Sequence, residues 1–331
     1  MINVIQTNSQ LFFLSALLLL IMIALWVLQF LIIRYSTKAR AQAMHYWTRF
    51  KQSPELNNRF IRLKSDYPKS YHFLSQRFDT QHFYGLPLTG LLVVGGYTSA
   101  LFIGLVEDVV TSDSIVAMDY FVSQQMSVLS DSLIVSFFIA ITSLASTPIT
   151  CLIVLLTSVL CWIIGKRYII IGLLIAVIGS TLFTYISKLL FNRVRPQDIL
   201  LFEQTSSFPS GHATVTVAMY GFIAYMAIRF SRDFSTQVRI LMLTLFLSVL
   251  IGLSRIVLNE HYLSDVLGGY LVGALWLTVA ISVTEWLRAK GKVDWQIHWS
   301  ASQISLVRYS IVAVVIATLL YANIYQFPLL L

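Results

Sequence analysis

The sequence predicts an all-α protein, a polytopic transmembrane helix bundle, and three observations carry that prediction. Of 331 residues, 57% are hydrophobic and only 11% are charged, where an average soluble domain is about a quarter charged. Several apolar stretches approach or exceed the roughly 18 to 20 residues a helix needs to cross the hydrocarbon core. Charge is also sorted along the chain, with basic and acidic loops alternating between the apolar stretches as the positive-inside rule requires.

The first stretch, Leu11 to Ile33, exceeds the roughly 7 to 15 apolar residues of a secretory leader. It has no basic region before it and meets no small-residue cleavage site, so it reads as a retained anchor. A loop over 34–86 follows, crowded with Arg34, Lys38, Arg40, Arg49, Lys51, Arg59, Arg62, Lys64, Lys69 and Arg77. That marks it as cytoplasmic, with room for a pair of short amphipathic helices, one around 39–50. It also accounts for much of the net charge of +8, which therefore points to anionic lipid headgroups and not to nucleic acid. His45 and His72 within the loop read as solvated or interfacial residues.

Further spans are expected at 87–107, 148–165, 168–189, 213–230, 238–256, 264–287 and 308–327. The apolar run from Ser132 to Gly165 is too long for one crossing and is interrupted by Ser143, Ser146, Thr147 and Pro148. Its first part, 132–146, is expected to be an interfacial or re-entrant helix. Eight spans place both termini on one side. Lys166, Arg167, the turn from Arg229 to Arg239, and Arg288, Lys290 and Lys292 then fall on the basic, cytoplasmic side. The segment 107–131 carries Glu107, Asp108, Asp113 and Asp119 without a lysine or arginine, so it faces outward.

Two cysteines, Cys151 and Cys161, share one apolar segment. Ten residues of helix separate them by about 15 Å, too far for a disulfide, and no cysteine metal site is in prospect. His82, just before a span, and His298, between Trp295 and Trp299, read as interfacial residues. Gly269 and Gly273 form a small-x3-small pair suited to close helix packing.

Four cations break the topology rule by falling on the outward side: Lys188, Arg193, Arg195 and Arg255. Three of them belong to short clusters at the outward ends of the spans: Lys188-x6-Arg195-Pro196, Pro209-Ser210-Gly211-His212, and Ser254-Arg255-x5-His261-x3-Asp265. If these converge, Lys188, Arg195 and Arg255 form a cationic pocket, with arginine forks matched to the oxygens of a phosphate. Gly211 and His212 open a helix whose first N–H groups can point at an anion, and Ser210 adds a hydroxyl at the cap. His261 and Asp265, four apart, share one helical face, so the carboxylate can fix the imidazole tautomer and leave the other ring nitrogen as a nucleophile. His212 is then the general acid and base. Arg193, Asn259 and Glu260 lie between these positions. Arg193 has two readings, assistance with phosphate and, the better of the two, a solvated or headgroup-paired residue; Glu203 has no assigned role.

The three clusters resemble the signature of the type 2 phosphatidic acid phosphatase superfamily, and they match its pattern at all eleven fixed positions. The resemblance implies a six-helix phosphatase core over 87–287. An N-terminal anchor and basic loop (1–86) and a linker with a final helix (288–331) are additions to it. By that resemblance, Lys188, Arg195, Arg255, Ser210 and Gly211 bind phosphate. His261 is the nucleophile of a phosphohistidine intermediate, His212 the acid and base, Asp265 the orienting carboxylate, and no metal or other cofactor is required. The expected function is hydrolysis of a lipid phosphate, such as phosphatidic acid, phosphatidylglycerol phosphate or a polyprenyl diphosphate. The expected setting is a bacterial inner membrane with the site on the periplasmic or extracellular face. A lipid phosphotransferase using the same site, a vanadate-dependent haloperoxidase and a non-catalytic lipid-phosphate carrier are the competing readings. No motif specifies an oligomeric state.

Overall fold

The computed structural model describes residues 2–51, 61–80, 82–111, 113–127, 132–197, 199, 201, 205–297 and 299–325. Arg59, Glu203 and His298 lie outside the described residues, and no β-strand forms among those described. The helices are α1 (Ile2–Lys51), α2 (Pro68–Arg77), α3 (Leu86–Thr111), α4 (Asp113–Ser127), α5 (Ser132–Ser143) and α6 (Thr147–Ile163). They continue with α7 (Ile169–Phe191), α8 (Gly211–Phe230), α9 (Phe234–Val257), α10 (Leu263–Ala289) and α11 (Ala301–Tyr325). Among the described residues, seven helices are long and apolar enough to cross a membrane. The chain is an integral membrane protein.

Three elements differ from the sequence expectation. The first helix does not stop near Ile33 but continues unbroken to Lys51, because 34–51 contains neither glycine nor proline to end it. The predicted amphipathic helix around 39–50 is therefore its extension. The described residues of segment 107–131 are helical, divided between the end of α3 and α4.

The third difference is the re-entrant helix expected at 132–146. α5 and α6 meet at a bend of 41°, where Ser143 and Ser146 turn their hydroxyls back onto Ile139 and Ser143 carbonyls and Pro148 opens the next helix. α4 lies at the same end of the bundle as the C-terminus of α7, since Asp119 reaches Arg193. α7 is a 23-residue helix, so it must begin at the opposite end. The chain between them has to traverse the bundle, and α5 with α6 makes that crossing as one broken span. Packing agrees: Phe138 and Ile139 of α5 bury against Val257 and Leu258 at the site end, while Ile153 and Cys161 of α6 bury with Ile169 and Leu173 of α7. The count of eight crossings holds on this reading. Leu14 and Ala322 join the same site-end cluster, placing the beginning of α1 and the end of α11 on one side.

α10 is the central helix, packed against α3, α7 and α8. Its contact with α8 is possible because two glycines remove side chains from the seam. A Cβ on Gly269 would stand 2.5 Å from the Ser210 carbonyl oxygen, and one on Gly273 would stand 2.6 Å from that of Thr214. The small-x3-small pair thus presses α10 onto the loop and first turn that carry the second motif. α7 and α8 each widen into a π-helical turn at mid-length, over Ile175–Gly179 and Thr216–Tyr220. An apolar groove of about 660 Å³ runs between α6, α8, α9 and α11. It borders α8 from Tyr220 to Phe230 and touches none of the motif residues; a membrane-facing surface of that kind suits hydrocarbon. Both cysteines are free.

Candidate active site

All three motifs arrive at one end of the bundle, and the backbone explains how. α7 stops at Asn192, whose left-handed φ of 42° lets its N–H return to the Lys188 carbonyl, a conformation asparagine tolerates better than most residues. The chain then turns away from the helix and carries Arg193 and Arg195 over the site. α9 ends in the same manner. The N–H groups of Glu260 and His261 both donate to the Arg255 carbonyl, at 3.0 and 3.2 Å, and Asn259 takes a φ of 54°. Arg255, Glu260 and His261 are stacked on one helix end by that wrap. The second motif joins the third through its backbone, the Ser210 N–H donating to the Asp265 carbonyl at 2.9 Å.

The three predicted phosphate-binding cations are gathered by shared partners. Lys188 Nζ donates to Thr205 Oγ1 at 2.9 Å, and Arg195 donates to the Thr205 carbonyl at 2.7 Å and to its hydroxyl at 3.1 Å. Arg195 also donates to the Glu260 carbonyl at 2.8 Å. Glu260, completely buried, places Oε2 3.5 Å from Arg195 Nη1 and 3.7 Å from Arg255 Nη2. Its other oxygen accepts the Leu201 N–H at 2.6 Å. Arg255 is equally buried and donates to Thr142 Oγ1 at 3.0 Å. Ser210 Oγ is buried without a hydrogen-bond partner among the described residues, the kind of polar atom that a ligand oxygen satisfies. A Cβ on Gly211 would meet only Thr184, at 3.9 Å, so the space beside the start of α8 is not filled by a neighbouring side chain. His212, half-buried, follows in that first turn.

His261 Nδ1 stands 3.5 Å from Asp265 Oδ2, beyond hydrogen-bond length. Asp265 is otherwise committed. Oδ2 accepts the Tyr262 N–H at 2.9 Å, closing a capping box at the start of α10, and Oδ1 accepts from Arg193 at 2.6 Å.

Arg193 corrects the sequence reading, in which it is solvated or paired with headgroups. Its guanidinium bridges Asp119 at 2.7 Å and Asp265 at 2.6 Å, donates to Ser264 at 2.7 Å, and lies 4.6 Å from the Tyr262 ring centre. Burial works against the charge, but the two carboxylates outweigh it and hold Arg193 above its ordinary value. Asp119 is buried as well, accepting from the Ser264 N–H and hydroxyl. Glu260 and Asp119 are the two carboxylates the sequence reading missed. An acidic residue between two cationic motif positions was the available signal for Glu260; nothing in the sequence linked Asp119 to residues 74 and 145 positions away. Among the described residues no group of three or more His, Cys, Asp or Glu side chains is placed to hold a metal ion.

With this geometry in hand, known proteins provide comparisons. The family model described as the PAP2 superfamily matches residues 168–289, a stretch containing every predicted site residue. Phosphatidylglycerophosphatase B of Bacillus subtilis (strain 168) is 34% identical over 108 residues, covering 31% of this chain and 53% of that protein. The chain therefore spans about half the length of this curated relative. A crystal structure described as the first transmembrane PAP2 type phosphatidylglycerolphosphate phosphatase from Bacillus subtilis superposes with a TM-score of 0.54 at 23% identity, covering 58% of this chain and 96% of that one. At that identity the likeness is one of fold.

Proposed function

We propose that the protein is a membrane lipid phosphate phosphatase of the PAP2 superfamily acting through a phosphohistidine, a reading supported by the match of that family's model to residues 168–289. The observation that carries this reading is the gathering of Lys188, Arg195 and Arg255 around Thr205 and Glu260, beside His261 and the first turn of α8. Three cations from two motifs, with the orphan Ser210 hydroxyl at the start of α8, suit a phosphate with two negative charges.

In the proposed reaction, one His261 ring nitrogen forms a bond to phosphorus while the bond to the lipid oxygen breaks, and His212 protonates that oxygen. Water, deprotonated by His212, then attacks phosphorus and the phosphorus–nitrogen bond breaks, releasing inorganic phosphate. Lys188, Arg195, Arg255 and the Ser210 and Gly211 region stabilise charge on the remaining oxygens. Asp265 stabilises the charged imidazole. We take 87–287 as the catalytic core and the site as facing the periplasm or cell exterior, because the basic 34–86 segment follows the first crossing and favours the cytoplasm. The B. subtilis relative makes phosphatidylglycerol phosphate the first substrate to test.

Purified protein in detergent, with chelator present, should release phosphate from phosphatidylglycerol phosphate, phosphatidic acid or a polyprenyl diphosphate, and His261→Ala should abolish release. Full activity in His261→Ala would remove the nucleophile assignment.

A further inference from the structure

Helix α4 lies outside the matched stretch 168–289, yet it reaches into the site through three residues on one face. Asp119 accepts from Arg193 and from Ser264, Ser123 donates to Asn259 Oδ1 at 2.7 Å, and Tyr120 meets the Tyr262 ring edge-on at 5.6 Å. A carboxylate as buried as Asp119 is costly unless it is paired and hydrogen-bonded, and its partners all lead to the nucleophile loop. Arg193 and Ser264 join it to Asp265, the carboxylate beside His261. Asn259, held by Ser123, is the left-handed residue at which the chain leaves α9 and enters that loop. Both ends of the segment bearing His261 are thus tied to α4.

We propose that α4 is a clamp that positions the nucleophile loop, with Asp119 as a positioning residue acting through Arg193 and Ser264 on Asp265 and His261. The proposal rests on the phosphohistidine reading given above. Its energetic logic is separable from phosphate binding. Lys188 and Arg195 are held by Thr205 and Arg255 by Thr142, outside both α4 and the clamped loop, and Glu260, the one pocket residue on that loop, is anchored separately by the Leu201 N–H. Loosening the clamp should misplace the nucleophile while leaving the cationic pocket intact, and a displacement of about 1 Å can cost on the order of 100-fold in rate.

The test uses the full chain in detergent, with Asp119→Asn, Ser123→Ala and Asp119→Glu. On phosphatidic acid, Asp119→Asn should lower kcat about 10- to 100-fold, with KM and inhibition by inorganic phosphate changed less than about twofold. Asp119→Glu, which keeps the charge, should recover part of the loss. The second readout needs no turnover: carbethoxylation of His261 by diethyl pyrocarbonate, followed by the mass of its peptide, should accelerate in Asp119→Asn because the buried ring is released. Should Asp119→Asn fail to fold, Ser123→Ala tests the other tether, with a kcat loss and faster modification expected in the same direction. Unchanged kcat, or a rise in the phosphate inhibition constant parallel to the kcat loss, overturns the clamp. So does a His261 modification rate that stays at the wild-type value. Wild-type protein that releases phosphate from no lipid would instead overturn the phosphatase reading, leaving the modification rate to decide the clamp.

Discussion

Replacing Glu260 by glutamine removes one negative charge from a fully buried position between two arginines while preserving shape. The amide oxygen can still accept the Leu201 N–H, so the loop contact at 2.6 Å survives. What is lost is compensation for Arg195 and Arg255, at 3.5 and 3.7 Å. At an effective dielectric of about 20, each pair is worth roughly 4 to 5 kcal/mol of gross attraction. Desolvation of the carboxylate offsets much of that sum. Breaking a buried pair from one side nonetheless leaves an uncompensated charge, typically at a cost of about 3 to 5 kcal/mol. For a chain of this size that corresponds to a fall of roughly 5 to 15 °C in melting temperature.

The sign of the phosphate response makes the prediction sharper. Inorganic phosphate brings the negative charge that Glu260→Gln removes, so it should raise the melting temperature of the variant more than that of wild type and inhibit the variant at lower concentration. Thermal scans in detergent at one fixed rate, with and without phosphate, read the first effect, and inhibition of turnover reads the second. A variant that melts with wild type and gains no more from phosphate would refute the claim that Glu260 balances the two arginines.

Other consequences can be tested alongside. Gly269→Ala should destabilise the protein by about 1 to 3 kcal/mol, because the new methyl would stand 2.5 Å from the Ser210 carbonyl oxygen and backbone cannot swing aside. Activity should fall with it, since Ser210 and His212 ride on that contact; Gly90→Ala, with nothing within 4 Å, is the matched control in thermal melts and should show no loss. At the far end, Asp233 caps α9 through Thr236, whose hydroxyl and N–H hold its carboxyl below the ordinary 3.8. A lowered folded pKa gives stability that is present above the unfolded value and lost as pH falls through the folded one. The melting-temperature gap between wild type and Asp233→Ala should therefore hold above about pH 4 and narrow below it; a gap that widens on acidification contradicts the cap.

Much of the bundle was legible in the sequence because the membrane imposes a single strong requirement. A helix crossing hydrocarbon must satisfy its own backbone and expose apolar side chains, and runs such as 11–33 and 238–256 carry that signal without help from neighbours. The motif residues were legible for a related reason: Lys188, Arg195 and Arg255 are cations at the ends of spans where the alternation of basic and acidic loops predicts none. Where local signals conflicted, the sequence misled. Ser143, Ser146 and Pro148 announced a break but not whether the chain turned back or went on, and only the packing of Phe138 and Cys161 at opposite ends of the bundle decided that it goes on.

By itself the sequence determined the class of protein, the succession of crossings and the identities of the residues proposed to hold and transfer a phosphate. Hydropathy and charge are properties of single segments, and fixed spacing places residues on one helix end. Tertiary structure decided how those residues are held. The role of Glu260 between two arginines, of Arg193 between two aspartates, and of Asp119 on a helix outside the motif stretch all come from contacts between segments distant along the chain. Such pairings depend on which helix ends meet in space, because a buried charge is stabilised by whatever opposite charge the fold brings within a few ångströms.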